Sequence, residues 1–303
     1  MTALWTAHVR ADETRAANPR FRDHIAGRFV AGRGEHIFAR LRQQLTRHEW
    51  VARVAATCAI VRAFLLCLLQ RRLSWGKLRQ LCRFAHRAWH QTEWERFHFD
   101  HVRRTVFLDQ ACLRAAEGGV RQIVIFGSGL DARAFRLAEL GEVDIFEVDS
   151  PSVFEFKEPL VKNEPVACRR RVAVQLPHSR TTSWLSALAE HGFASATPTL
   201  FIFEGVLMYL PRHTQETILR WVPRRVGHRV SGDAFDTGDI VLRAPIRRPK
   251  IRVYGTTRQN VKQWLSPDTH MIDARDDALG PPLMPHLDNS LFPYQRFFFS
   301  TSF

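Results

Sequence analysis

The stretch Ile123–Ala132, IVIFGSGLDA, decides the fold class of this chain. Its first four residues form an unbroken apolar run, which is typical of a parallel strand covered by helices on both faces. Gly127 and Gly129 then allow a tight turn, a close approach to a ligand and entry into a helix whose N-terminal amides point above the strand. Asp131 follows Gly129 by two residues. The motif therefore predicts a nucleotide-cofactor site at the end of this strand.

A second strand, predicted over Val143–Val148, ends at Asp149. An acidic side chain at this place can accept hydrogen bonds from both hydroxyls of a ribose. Ser150 and Pro151 follow as a natural N-cap and first helical residue. An NAD enzyme and an S-adenosylmethionine (SAM) enzyme both put an adenosine ribose on such an acid, so these residues alone fit either cofactor.

The rest of the chain continues to alternate strands with helices. Further strands are predicted at 172–176, 199–203 and about 228–234, with a helix at Asn260–Leu265 and a last strand at Tyr294–Phe303. This order is that of βαβ units in a parallel sheet.

Three stretches follow one another along the chain: RTVFLDQACLRAAEGGVRQIVIFGSGLDARAFRL at Arg104–Leu137, IFEVDSP at Ile145–Pro151 and FEGVLMYLP at Phe203–Pro211. In this order and spacing, the three motifs resemble those of the leucine carboxyl methyltransferase family. The close resemblance spans Arg104–Asp233, and a weaker one covers the N-terminus. It implies an α/β class I SAM-dependent methyltransferase, with a Rossmann-like, seven-stranded, mostly parallel sheet, an antiparallel last strand and an N-terminal helical lobe.

The resemblance also implies roles for single residues. Arg104, predicted to open a helix, matches the arginine that holds the methionine carboxylate of SAM, a task that suits a guanidinium. Glu204 follows the strand at 199–203, where a carboxylate near the sulfonium and ammonium of SAM is favourable. The alternative for Arg104 is an ordinary solvated arginine. The alternative for Glu204 is a loop carboxylate that pairs with a neighbouring arginine. Tyr209 either lines the substrate mouth, donates to an acceptor oxygen or packs as an ordinary aromatic.

One position departs from the family pattern. Family members usually carry an Asp-Leu pair after the third strand, where the acid contacts the adenine amino group and the next amide contacts the ring. Here the pair is Gln175 and Leu176. Glutamine keeps an acceptor oxygen and loses the charge, which is compatible with retained adenine recognition, with weaker SAM binding or with a degenerate copy. The predicted cofactor-binding residues are Arg104, Gly127, Gly129, Asp131, Asp149, Gln175, Leu176 and Glu204.

Length and composition favour one sizeable α/β core with an added lobe. The chain has 303 residues, 45% of them hydrophobic, which is enough for such a core. We predict a helical extension or substrate lid at 1–100 and the SAM-binding domain at 101–303. The apolar stretch Val51–Leu69 is interrupted by Arg53 and Arg62, so it is expected to be a buried or partner-facing helix and not a membrane span.

The five cysteines show no CxxC spacing, which predicts reduced thiols in a cytoplasmic protein and neither disulfides nor a metal site. They are Cys58, Cys67, Cys82, Cys112 and Cys168. His178 and His213 are placed to face a substrate, although surface histidines are the commoner outcome. A carboxylate acceptor needs no general base for methyl transfer, and no catalytic residue is predicted.

The distribution of charge favours nucleic-acid binding as a further possibility. The first hundred residues hold 18 Lys+Arg against 8 Asp+Glu, which gives 18 − 8 = 10 of the net charge of +14. Basic residues interleaved with tryptophans, and a second basic run at Arg243–Arg252, are suited to nucleic-acid binding. Only five of the 44 basic residues are lysine, so a general bias toward arginine is the alternative explanation.

These observations predict a SAM-dependent O-methyltransferase whose partner is a small-molecule acceptor with a carboxylate or a hydroxyl group. The alternative from another class is a basic RNA-binding protein on a methyltransferase-like scaffold, with or without catalysis. An NAD-dependent oxidoreductase ranks third, because nothing supplies a hydride-transfer acid or a second dinucleotide fingerprint.

Overall fold

The computed structural model describes residues 2–32, 39, 43, 93–176, 184–236, 240–242, 251–273 and 295–303. Several predictions fall outside these residues: the helix at 51–69, most of the basic lobe, the run at 243–250, His178 and the first three cysteines. Within the described part, the chain forms a central sheet with helices on both faces.

Seven strands make up the sheet, and their order is β3-β2-β1-β4-β5-β9-β8. They are β1 (Gln122–Phe126), β2 (Asp144–Asp149), β3 (Arg170–Gln175), β4 (Thr199–Phe203), β5 (Arg229–Asp236), β8 (His270–Asp273) and β9 (Gln295–Ser302). Two short strands, β6 (Ile240–Leu242) and β7 (Ile251–Val253), pair separately. All neighbours from β3 to β5 are parallel, whereas β9 is antiparallel to both β5 and β8. The predicted class I methyltransferase fold is confirmed.

Eight helices lie in the described residues. They are α1 (Thr2–Arg15), α2 (Ala26–Val30), α3 (Glu93–Glu117), α4 (Arg133–Arg136), α5 (Pro151–Val161), α6 (Trp184–Glu190), α7 (Arg212–Arg220) and α8 (Arg258–Trp264). Short 3₁₀ turns occupy Ala138–Leu140 and Leu207–Tyr209. The predicted helix at 260–265 corresponds to α8, one to two residues earlier.

The prediction that Arg104 opens a helix is wrong. Helix α3 begins at Glu93, so Arg104 lies near its middle. Phe99 and Val102 are buried like Leu108 and Cys112, because the apolar face of the helix continues upstream of the family motif with no stop signal in between.

Alternating side chains of β1, β2, β4 and β9 pack into two cores. On β1, Ile123 and Ile125 pack in one cluster with residues of α1, α2 and α3, while Val124 and Phe126 pack in the other with Trp184, as the two-residue period of a strand requires. Helix α1 thus shares a core with the sheet, and α3 runs through residue 100. The division of the chain at 100 stays a prediction.

The direction in which successive strands are added to the sheet reverses between β1 and β4, which are neighbours at its centre. Crevices at such a switch point, above the carboxyl ends of parallel strands, are where doubly wound folds bind ligands. Phe126 pairs with Val148 of β2, and Ile125 pairs with Ile202 of β4. The residues at the carboxyl ends of these strands therefore meet at one edge of the sheet, and they include Gly127, Asp149 and Glu204.

Candidate functional site

The glycine loop after β1 is tied to the neighbouring strand. The N–H groups of Gly127 and Ser128 donate to the carbonyl oxygen of Val148, at 2.8 and 3.1 Å. Gly127 and Gly129 have φ of +68° and +50°, a region that side chains disfavour. A Cβ on Gly127 would lie 2.5 Å from Cγ2 of Val206. Both backbone conformation and packing therefore require glycine at 127.

Asp149 ends β2 directly beside this loop. Its Oδ2 accepts a hydrogen bond from the N–H of Gly129 at 2.7 Å, and its Oδ1 accepts one from the N–H of Ser150, also at 2.7 Å. Each carboxylate oxygen has lone-pair capacity for a further donor. Two backbone amides thus orient a partly buried carboxylate that can still accept hydrogen bonds from a ligand.

Ser150 and Pro151 begin α5 as predicted, with Pro151 as the first helical residue. The Ser150 hydroxyl does not cap the helix. It lies 3.1 Å from the hydroxyl of Ser152.

Gln175 and Leu176 lie next to Asp149 across the sheet. Asp149 is in register with Gln175 on β3. Gln175 is exposed, and Leu176 is buried. The N–H of Leu176 donates to the carbonyl oxygen of Asp149 at 2.7 Å. The amide expected to contact an adenine ring is thus already paired, while the Gln175 side chain is accessible.

Arg104 and Glu204 form a buried ion pair. Nε of Arg104 donates to Oε1 of Glu204 at 3.0 Å, and Nη1 lies 3.8 Å from Oδ2 of Asp233 on β5. Arg104 is only 4% exposed, so it is not a solvated arginine. The sequence left two roles open for Glu204, a contact with SAM and a pair with an arginine, and the structure contains the pair with an arginine. Because each carboxylate oxygen can accept two bonds, this pairing is compatible with a ligand contact.

Arg133, on α4, is the residue that sequence reasoning missed. Its Nε donates to Oδ1 of Asp109 at 2.7 Å, and its Nη1 donates to Oε2 of Glu204 at 2.6 Å and also pairs with Asp131. Asp131 Oδ1 in addition accepts from the Arg133 N–H at 2.7 Å. The Asp131 carboxylate therefore faces Arg133. The signal was present in the quoted motif, where Arg133 follows Asp131 by two residues.

The ion pairs extend from Arg133 to the N-terminal segment. Arg136 donates through both Nη atoms to Asp109, at 2.6 and 2.7 Å, and Arg10 donates to Asp23 at 2.8 Å. We call the whole set the ionic cluster. It comprises Arg10, Asp23, Arg104, Asp109, Asp131, Arg133, Arg136, Glu204, Asp233 and Arg296.

Electrostatics fix the charge of the groups at the centre of this cluster. Burial alone would raise the pKa of Glu204, but Arg133 and Arg104 lower it far below the usual range. Burial would lower the pKa of Arg104, but Asp233, Glu204 and Tyr209 raise it. Tyr209 is 39% exposed. Glu204 and Arg104 both stay charged at neutral pH.

One buried polar atom suits a ligand at the glycine loop. Ser128 is 6% exposed, and its hydroxyl has no hydrogen-bond partner among the described residues. Buried polar atoms are normally satisfied, so this hydroxyl is available to a ligand that lies on the loop. Together with the Asp149 carboxylate, it makes the loop chemically suited to a nucleoside.

Other predicted features take ordinary places. His213 is exposed on α7, and Cys112 and Cys168 are buried free thiols. In the described part of the chain, no group of three or more His, Cys, Asp or Glu residues is arranged to hold a metal ion. The same residues include no helix long and apolar enough to cross a bilayer.

The comparison with protein families decides the assignment. The family model of leucine carboxyl methyltransferases matches residues 3–223. The chain belongs to this family. The match begins within α1, so it includes the described N-terminal helices α1 and α2.

Individual relatives agree with the family. A protein of Mycobacteroides abscessus, named as a candidate S-adenosyl-L-methionine-dependent methyltransferase, is 39% identical over 156 residues, which are 49% of this chain and 50% of that protein. A protein of Mycolicibacterium paratuberculosis with the same name is 38% identical over 198 residues, 61% of this chain and 64% of that one. The chain spans about half the length of the relatives it matches.

Two solved structures are similar at low identity. A candidate methyltransferase from Thermobifida fusca is 16% identical with a TM-score of 0.47, over 68% of this chain and 83% of that chain. A DUF574 family protein from Streptomyces avermitilis is 12% identical with a TM-score of 0.46, over 67% of this chain and 83% of that chain.

Proposed function

We propose that this member of the leucine carboxyl methyltransferase family binds SAM and transfers its methyl group to a carboxylate or hydroxyl oxygen of a small metabolite. The observation that carries the proposal is the position of Asp149. Its carboxylate lies at the carboxyl end of β2, beside the glycine loop that follows β1, and two backbone amides hold both of its oxygens in place.

The residues that would hold SAM form two groups. The ribose hydroxyls would donate to Asp149, and the Gln175 side chain, exposed beside it, offers an acceptor oxygen for the adenine amino group. Arg104 and Glu204 would hold the methionine carboxylate and ammonium. The unpartnered Ser128 hydroxyl supports a ligand lying on the loop.

The acid–base chemistry depends on the acceptor, because a hydroxyl acceptor needs a base to take its proton and a carboxylate acceptor does not. When bound, SAM supplies a methyl group on a sulfonium, which is a good leaving group. The protein's contribution is then to orient the acceptor and exclude water, and a carboxylate acceptor needs no proton removed. Tyr209 would line the acceptor's entrance. We further propose that residues 1–100 include the elements that cover the acceptor.

Calorimetric titration of the protein with SAM, S-adenosylhomocysteine and NAD, run in parallel, tests this function. We expect the first two to bind and NAD not to bind. The Asp149→Ala variant should bind SAM more weakly by roughly 1.5–3 kcal/mol, the usual worth of a hydrogen bond to a charged group. Circular dichroism of the variant controls for folding. Unchanged SAM affinity in a folded Asp149→Ala protein would contradict the assignment.

The RNA-binding alternative depends on residues outside the described part of the chain. In the described part, several arginines have structural roles: Arg229 donates to the Arg114 carbonyl, Arg121 to the Ala116 carbonyl and Arg224 to the Trp264 carbonyl. Titration of a fluorescent RNA from about 50 to 200 mM salt tests the alternative, because phosphate contacts weaken steeply with salt. We expect weak binding that disappears at physiological salt. Tight binding that persists there would favour the RNA alternative.

A further inference from the structure

Three carboxylates from three separate segments converge on the Arg133 side chain. Asp109 belongs to α3, Asp131 to the loop after β1, and Glu204 to the loop after β4. Arg133 itself is 2% exposed. A planar guanidinium presents its donors in a fixed fork, so it holds these acceptors in one fixed arrangement, which a flexible point charge would not do.

The contact with Glu204 determines how that carboxylate is presented. Arg104 occupies Oε1 and Arg133 occupies Oε2, at 3.0 and 2.6 Å. With one arginine on each oxygen, the plane of the carboxylate is fixed. Without Arg133, Glu204 would keep a single partner, and rotation of its carboxyl group would become possible.

The contact with Asp131 acts on the glycine loop. The N–H of Asp131 donates to the Ser128 carbonyl at 2.9 Å, which closes the turn that contains Gly129. Arg133 holds Asp131 through both its backbone N–H and its guanidinium. The backbone part of this contact and the turn itself do not depend on the Arg133 side chain, whereas the contact with Glu204 depends on it entirely.

We propose that Arg133 is a positioning residue that sets Glu204 for the amino-acid end of SAM without touching the cofactor. This inference rests on the proposed function. It predicts that a change at Arg133 affects recognition of the aminobutyrate chain more than recognition of the adenosine.

The test compares two ligands on two matched variants. The ligands are SAM and 5′-methylthioadenosine, which has the adenosine and the methylthio group but lacks the aminobutyrate chain. The variants are Arg133→Lys and Arg136→Lys. Both arginines lie on α4 and share Asp109, but Arg136 contacts neither Asp131 nor Glu204. Binding of both ligands to wild-type protein is measured first, and failure of SAM to bind there would refute the proposed function itself.

For Arg133→Lys we expect SAM affinity to fall by about tenfold or more, as loss of a charge-assisted hydrogen bond implies. Affinity for 5′-methylthioadenosine should stay within about twofold, and Arg136→Lys should leave both affinities within about twofold. A purely structural role would lower both affinities alike in Arg133→Lys. That result, or unchanged SAM affinity, would overturn the inference.

Two further variants keep the inference testable. In a Glu204→Gln background, adding Arg133→Lys should weaken SAM binding no further, since coupled residues are not additive; a full additional loss would show that Arg133 does not act through Glu204. If Arg133→Lys does not fold, Asp109→Asn loosens the Arg133 Nε contact with little change of volume. It should lower SAM affinity about threefold and leave 5′-methylthioadenosine binding unchanged. Equal effects on both ligands, or none on SAM, would overturn the proposal.

Discussion

The residues proposed to bind SAM, at the carboxyl ends of the parallel strands, fall into two halves that are held in place by different kinds of contact. In one half, Arg133 joins Asp131 to the half-buried Glu204, and Glu204 also pairs with the buried Arg104. We call this the ionic half. In the other half, Asp149 is held by backbone amides and Gln175 is exposed. We call this the backbone-held half.

The difference separates stability from recognition. Buried charges depend on their partners, because an unpaired charge in the interior is costly. Changes in the ionic half should therefore alter folding as well as binding. In the backbone-held half the backbone sets the geometry, so side-chain changes there should alter binding with little effect on folding.

The largest effect is expected where a buried cation is removed. Arg133→Met leaves three buried carboxylates with fewer partners and should lower the free energy of unfolding by about 3–5 kcal/mol. The matched control is Arg220→Met, which breaks an exposed pair with Glu216 at 2.8 Å and should cost less than about 1 kcal/mol. Urea unfolding measures both. Equal losses in the two variants would contradict the distinction between buried and exposed pairs.

Acid should weaken the ionic cluster next most strongly. Burial raises the pKa values of Asp23 and Glu204, but neighbouring arginines lower them below the ordinary values. A carboxyl group whose pKa is lower in the folded state stabilises the fold at pH values above its unfolded pKa of about 4. That stabilisation is lost as the pH falls below this value toward the folded pKa. Asp100, whose pKa burial raises, acts in the opposite direction.

We therefore expect the free energy of unfolding to fall by roughly 3 kcal/mol on acidification from about pH 6 to about pH 3. Denaturant unfolding at a series of pH values measures the change. The Glu204→Gln variant, which lacks one of these carboxylates, should show a shallower fall. A fall equal to that of the wild type would mean that Glu204 does not contribute.

Alanine at the two loop glycines should have intermediate effects. Gly127→Ala adds a Cβ at positive φ, 2.5 Å from a Val206 methyl group, and should cost about 2–3 kcal/mol. Gly129→Ala meets the Ala3 Cβ at 3.3 Å and should cost about 1–2 kcal/mol. Thermal unfolding ranks the two. Val206→Ala should rescue part of the Gly127→Ala loss and none of the Gly129→Ala loss; the reverse pattern would place the steric conflict elsewhere.

The smallest effects are expected at Gln175. Gln175→Leu removes the acceptor oxygen and should lower SAM affinity by about 0.5–1.5 kcal/mol. Gln175→Asp keeps an acceptor and should change the affinity less than about threefold. Stability should change by less than about 0.5 kcal/mol in both, since the side chain is exposed. If Gln175→Asp strengthens binding tenfold or more, the glutamine is a defect in adenine recognition.

Several features could be predicted because short stretches of sequence encode them. Strands β1 and β4 each have four consecutive apolar residues after a polar first residue, and the glycines after β1 mark a turn with positive φ. Strand β8 was missed, because its four residues, His270–Asp273, include two polar ones and show no clear period. The start of α3 was misplaced because the family motif begins inside the helix.

The sequence by itself determined the doubly wound sheet, the loop at Gly127 and the acid at Asp149, since each depends on neighbours within a few residues. Only the tertiary structure decided which charged groups face one another. Arg104 and Glu204 are 100 residues apart in the chain yet 3.0 Å apart in space, and Asp131 faces Arg133. Ion pairing depends on distances between side chains brought together by folding, and such distances leave no periodic signal in the sequence.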